Sequence, residues 1–185
     1  MDAALPYRTM ARNNAWANHR LLTVCLHLSD EEFAAPRTGF FPSLRATLNH
    51  LLVIDRFYVD AMEGGTLGPA AWADPEPFQT VAVLKTAQYE IDHKLIAITE
   101  ALGPDDLARS VDIHREDHIQ RERMDRLLLH LFEHQIHHRG QAHAMLSGTS
   151  VAPPQLDEFF LEGEAHLRAA DFSELGWAEG EIWER

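Results

Sequence analysis

Twelve of the 185 residues are histidine, and five of these (His130, His134, His137, His138 and His143) fall within fourteen consecutive positions. Imidazole ligates divalent metals and titrates near neutral pH, so metal binding and acid–base chemistry are the first functions to consider. On an α-helix each residue advances about 100°, which puts His134 and His138 about 40° apart, one turn above the other. Two imidazoles so placed can share one ion. Leu127, Leu131, Ala142 and Met145 fall close to the same direction, so this face is expected to point into a core rather than into water. His50 shares a stripe with Ala46, Val53, Ile54, Phe57 and Ala61, again at the spacing of a buried helical face.

Each observation also has a plainer reading. Alone, His50 can be a core histidine donating to a backbone carbonyl, and an i, i+4 pair can lie on a partly exposed helix surface. Together, three inward imidazoles at one level are costly to bury unpaired, whereas one divalent cation satisfies all three ring nitrogens at about 2.0–2.1 Å. Three protein ligands leave a position open to water or substrate, as in catalytic rather than structural zinc sites. Imidazole accepts zinc, nickel, iron and manganese, with zinc or nickel expected first and one ion per chain.

The neighbouring residues compete for supporting roles. His130, one turn before His134, and His137, about 60° from it, can brace or replace a ligand. Gln141 faces the same side and can hydrogen-bond a ligand imidazole or a bound water. Phe57 and Met145 are expected to wall an apolar pocket beside the metal. Arg139 is expected to border that pocket or to make a helix-packing salt bridge. Asp55, about 140° from His50, lies too far round the helix to share coordination and is expected to pair with a basic side chain. Gly140 is expected to allow close helix approach. His143, with Leu129, Phe132 and Ile136, forms a patch on the far side that faces either the C-terminal segment or a second copy of the chain.

Four long helices carry these residues. Apolar residues at helical spacing run from Pro6 to Leu28, with Ser29-Asp30 as the end. Ser43 caps a second helix that reaches Met62, where Gly64-Gly65 stop it. Residues 65–79 read as a loop. A third helix follows Thr80 and runs to Gly103-Pro104, and a fourth spans about Met124 to Leu146. Residues 105–123 have weak periodicity and read as a short hairpin or an irregular connection. The expected fold is therefore an all-α, four-helix bundle, with a long crossover placed in the second or third connection. Residues 157–185 hold nine acids against two arginines but also Phe159, Phe160, Phe172, Trp177 and Trp183, too much apolar surface for a solvated tail. A short helix from about Leu156, with residues 156–185 docked on one domain spanning 1–185, is expected.

Sixteen basic and 29 acidic residues leave a net charge of -13, which repels phosphate backbones and anionic membrane surfaces, so neither nucleic acid nor membrane is an expected partner. The single cysteine, Cys25, has no internal partner and reads as a packed core residue rather than a nucleophile. Without a leader or an apolar run of about 18 residues, a cytoplasmic location is expected.

Leu-Asn-His50 followed by Leu-Leu-Val-Ile-Asp55, and Glu-His134-Gln-Ile-His137-His138-Arg139-Gly140-Gln141, resemble the DinB/YfiT-like metalloenzyme family. Trp16-Ala17-Asn18 and Pro-Pro-Gln-Leu-Asp157 add to the likeness, which covers most of the chain; the histidine-Arg-Gly-Gln element is its most specific part. The resemblance implies metal ligation by His50, His134 and His138, a bundle with a long crossover, and a homodimer. Relatives of this kind are thiol transferases and thiol-dependent isomerases, so it also implies a metal-dependent enzyme that activates a low-molecular-weight thiol or water toward a small-molecule substrate. The alternatives are a metal-dependent hydrolase and a non-catalytic, dimeric, stress-related metal-binding protein.

Overall fold

The structure, a computed structural model, describes residues 2–103 and 105–183. It is mostly helical, with α1 (Leu5–Cys25), α2 (Asp30–Ala34), α3 (Leu44–Met62), α4 (Val81–Glu100), α5 (Met124–Leu146), α6 (Ala165–Leu175), α7 (Glu179–Trp183) and one two-stranded sheet. Local chemistry sets the boundaries. Pro6 sits in the first turn of α1, where its missing N–H is no loss. The Ser43 hydroxyl accepts the Ala46 N–H at 3.0 Å to start α3, and Gly64, at φ 83°, takes the left-handed turn after it. Pro104, the expected breaker after α4, lies outside the described residues.

Ser29, expected only to end α1, instead opens α2. Its hydroxyl accepts the Glu32 N–H at 3.1 Å while its own N–H donates to the Glu32 carboxylate at 3.3 Å. This reciprocal box is written in Ser29-Asp30-Glu31-Glu32. The 65–79 loop also contains a 3₁₀ turn over Gly68–Trp72.

Around the bundle the long helices run α1–α4–α3–α5, each packed chiefly on its two neighbours. The consecutive pairs α1, α3 and α4, α5 are therefore diagonal, while α3 and α4 are adjacent. The bundle crossings fall in residues 26–43 and 101–123. The second connection, also considered for the crossover, joins neighbours. The last crossing contains the hairpin: β1 (Ser110–His114) pairs antiparallel with β2 (Ile119–Arg123), Ser110 opposite Arg123. Only Val111 and Ile113 are buried there, and β1 packs on α3, so the sequence pattern is faint.

The C-terminal segment docks, but its helix begins at Ala165 rather than about Leu156, and a second turn, α7, follows Gly176 at φ 71°. Phe159, Phe172 and Ile182 bury against Trp16 and Ala17 of α1 in a small second core. Buried Arg168 donates to the Glu158 and Leu161 carbonyls and grips the Glu179 carboxylate at 2.9 and 3.0 Å. Arg20 of α1 reaches across to Glu158 and Asp171 at 2.6 and 2.9 Å. His143 meets the Pro154 carbonyl at 2.7 Å and Phe132 is buried, whereas Leu129 and Ile136 stay exposed. Among the described residues no helix is long and apolar enough to cross a membrane.

The centre of the bundle is polar. Arg139 of α5 is buried and, among the described residues, makes no direct pair with a carboxylate; it donates to the Oδ1 atoms of Asn14 and Asn18 on α1 at 2.9 and 2.8 Å. The same asparagines donate from Nδ2 to Asp92 Oδ1 of α4, both at 3.1 Å. Gln88 Nε2 donates to Asp92 and to Asp55, and Gln135 Nε2 donates to Asp55 Oδ1 at 2.5 Å. Thus Arg139 does not border the metal pocket, and Asp55 pairs with two glutamines rather than a base. Gly140 allows no close approach either: it is exposed, and beyond its own stretch of helix no atom of the described residues lies within 4 Å of where its Cβ would be.

Burial pushes Asp55 up to about 7 and Asp92 up to about 8, the latter also through repulsion from Asp55, and burial brings Arg139 down to about 10. Burial and mutual repulsion both disfavour a second negative charge beside the single Arg139. A carboxyl raised from 3.8 toward 8 contributes stability that is complete below pH 3.8 and is lost as pH rises through 8. Accordingly, Asp92→Asn should flatten the fall in stability between pH 5 and 8 seen in urea melts; an unchanged slope would contradict the assignment. Arg139→Met strands the two asparagine carbonyls and the remaining carboxylate, and should cost about 3–5 kcal/mol in the same melts. A loss below about 1 kcal/mol would show that the network is not a stabilising centre.

Candidate metal centre

Three imidazoles converge where α3 faces α5. His50 comes from α3, and His134 and His138 stand one turn apart on α5; one ring nitrogen from each lies within 4.8 Å of the others. His50 Nε2 and His134 Nε2 are 3.0 Å apart, the order of separation of two nitrogens that ligate one ion. The ring centroids lie 5.0 Å apart for His50–His134, 4.7 Å for His50–His138 and 4.6 Å for His134–His138. These three histidines could hold a metal ion.

The electrostatics suit such a role. Burial lowers His50 from 6.5 to about 4, helped by His138, and lowers His134 to about 3, with the surrounding histidines adding repulsion. Burial lowers His138 too, against a hydrogen bond from Gln141 that acts the other way. All three rings are thereby kept neutral, the form that ligates. Gln141 Oε1 lies 2.9 Å from His138 Nδ1 and accepts its N–H, which leaves the lone pair on His138 Nε2, while Gln141 Nε2 meets His137 Nε2 at 3.0 Å. No such brace supports His134, whose Nδ1 is buried without a hydrogen-bond partner. His50 Nε2 and His134 Nε2 face each other, and the donor set of three neutral imidazoles fits a divalent cation.

Among the remaining expected residues, His137 packs edge-on against His138 at 4.8 Å and reaches the cluster through Gln141. His130 sits 6.3 Å from His134 and pairs instead with the Tyr58 hydroxyl at 3.2 Å. A cleft of about 340 Å³ opens from His50 and is lined by Phe41, Ile54, Phe57, Tyr58, Trp72 and Arg115 among others. Phe57 therefore walls the cleft as expected. Met145 does not: it is buried, its sulfur 3.6 Å from the Thr47 hydroxyl, two turns from the opening.

Several contributors escape the sequence reading. Phe41 stacks 4.4 Å from His50 and 5.4 Å from His138, and Phe40, 76% exposed, lies 5.9 Å from His138. An aromatic pair directly before the Ser43 cap of the helix that carries His50 was a readable signal. Tyr58 and Arg115 gave none, since a tyrosine on an apolar helix and an arginine in a charged connection both have ordinary explanations.

The sequence matches the model of the DinB family over residues 1–171, and the chain belongs to that family. The fold is similar to that of the solved DinB-like protein from Bacillus cereus ATCC 10987, with a TM-score of 0.61 at 15% identity over 78% of this chain and 91% of that one. It is also similar to the solved DinB-like protein YjoA from Bacillus subtilis, with a TM-score of 0.57 at 16% identity over 80% of this chain and 96% of that one. No curated protein matches the chain in sequence.

A histidine lowered from 6.5 contributes stability that is present above pH 6.5 and is lost as pH falls through its folded value, near 4 for His50 and near 3 for His134. In chelator-treated protein, the ring resonances of both should keep their neutral positions from pH 7 down to pH 5 in an NMR titration. Protonation of either ring by pH 6 would contradict the desolvated cluster.

Proposed function

We propose that this protein is a metal-dependent enzyme in which His50, His134 and His138 hold one divalent ion, zinc or nickel first, and that it activates a low-molecular-weight thiol, or water, toward a small-molecule substrate. The observation that carries this reading is the meeting of three neutral, desolvated imidazoles at the mouth of an apolar cleft. A divalent ion held there supplies a Lewis acid that lowers the pKa of a thiol or water at its open position.

The chain's own residues supply the rest. Gln141 orients His138. Phe41 covers His50 and His138 and keeps water from the ligand rings. Ile54, Phe57 and Trp72 hold the apolar body of a substrate beside the site. Tyr58 lines the cleft with its hydroxyl 3.2 Å from His130 Nε2, so a proton released in the cleft can be taken up by His130. Cys25 takes no part: it is wholly buried, and burial pushes its thiol up to about 12.

Freshly purified protein should carry about one divalent ion per chain, and the His50→Ala, His134→Ala double variant should lose it while keeping its helical circular dichroism. Thiol conjugation to an electrophile should cease on chelation and return with added zinc or nickel; ester hydrolysis without thiol distinguishes the water-activating form. Full occupancy in the double variant would overturn the ligand set. Conjugation that persists in folded, metal-free protein would overturn the mechanism, and one ion per chain with no turnover would leave the non-catalytic, stress-related metal-binding reading.

A further inference from the structure

The cleft that opens from His50 is apolar along most of its wall, and at its far side stands a guanidinium. Arg115, in the turn between β1 and β2, is half-buried and is the one Lys or Arg lining that cleft among the described residues. Two contacts hold it in place: its Nε donates to Gln120 Oε1 at 2.9 Å, and the guanidinium lies 4.9 Å over the Phe57 ring. Neither uses the two terminal NH2 groups. Among the described residues they have no hydrogen bond and no carboxylate within 4.0 Å.

The two acids that line this cleft and the adjoining one have partners of their own. Glu76, on the same cleft, is paired with Arg45 at 2.6 Å, and Glu122 accepts from Gln120 Nε2 at 3.0 Å. Arg115 and Tyr58 also line a second cleft of about 300 Å³, so the guanidinium stands where the two spaces meet. A planar fork, pre-oriented by a ring and an amide, with its terminal donors free in a half-buried position, has the geometry for bidentate capture of a carboxylate. On a chain of net charge -13, diffuse attraction of anions is absent, so a single placed cation supplies selectivity.

We propose that Arg115 is the carboxylate-recognition residue of the cleft, selecting a small amphipathic monocarboxylate whose apolar body lies on Ile54, Phe57 and Trp72 and whose other end reaches His50. This deepens the function proposed above by naming its ligand class, and it rests on that reading for the direction in which the ligand lies. The carboxylate can belong to the electrophilic substrate or to the thiol.

The test uses full-length, chelator-treated protein, because a carboxylate would also bind a metal. Binding is measured by NMR titration for two acid–amide pairs: phenylbutyrate with phenylbutyramide, and N-acetyl-S-methylcysteine with its amide. The acid of at least one pair should bind about tenfold tighter than its amide, the size of one charge-assisted contact. Arg115→Gln should abolish the preference, and Arg115→Lys should keep part of it. Gln120→Ala, which frees the guanidinium from its brace without removing charge, should weaken it, so the assignment remains testable if one hairpin variant unfolds. Preference in the first pair assigns the carboxylate to the substrate, and preference in the second alone assigns it to the thiol. Equal binding of acid and amide in both pairs, or a preference that survives Arg115→Gln, overturns the proposal. Because no metal is present, a failure of the metal-ligand assignment leaves these outcomes unchanged.

Discussion

The constraint on which the molecule depends is a buried arginine that touches no carboxylate among the described residues. Arg139 lies in the centre of four helices, and its charge is relayed through Asn14 and Asn18 to Asp92, then through Gln88 to Asp55 and Gln135. Every long helix contributes, so a slip of any one by a turn would strand polar groups on the others, at about 1–3 kcal/mol for each orphaned atom. Apolar packing tolerates small adjustments of register; this network does not. Hydrophobic burial makes the bundle compact, and the polar centre makes it unique.

The candidate metal site inherits that register. Gln135 and Arg139 immediately follow His134 and His138 on α5, and Asp55 lies five residues beyond His50 on α3. One face of each helix is locked by the network, and the adjoining face presents imidazoles. With α3 and α5 packed as neighbours, fixing Asp55 against Gln135 also fixes His50 against His134 at 3.0 Å. Residues outside the histidine cluster thereby set its geometry.

Much of this was legible in sequence, for identifiable reasons. The long helices carry strong 3.6-residue patterns and explicit stops, so α5 falls at Met124–Leu146 as read, and the i, i+4 histidines follow from helix geometry alone. Gln141 against His138 was likewise a matter of angle. The misses share a cause, which is that they depend on what one element meets from another. Met145 points inward as expected but meets Thr47, not the cleft. Arg139 was read as half of a salt bridge because nothing in the local sequence says that two asparagines more than a hundred positions earlier will stand between it and an acid. Phe41 and Arg115 lie in connections whose paths no periodicity records. Of the two connections long enough for the crossover, the third does cross the bundle while the second joins neighbours, since connection length permits a crossing without requiring one.

Folding this site has a thermodynamic consequence. Desolvated imidazoles with an unsatisfied His134 nitrogen are a local cost, and burial has displaced their proton affinity away from that of free histidine. A ligand that binds only the folded arrangement repays it by mass action, about 2.7 kcal/mol at a concentration one hundred times its Kd. The polar network supplies the rigidity that keeps the rings together before any such ligand arrives, which lowers the ordering entropy that binding must overcome. Buried network and histidine cluster are therefore two parts of one design: the first holds in register the desolvated rings of the second, whose burial cost a ligand can offset.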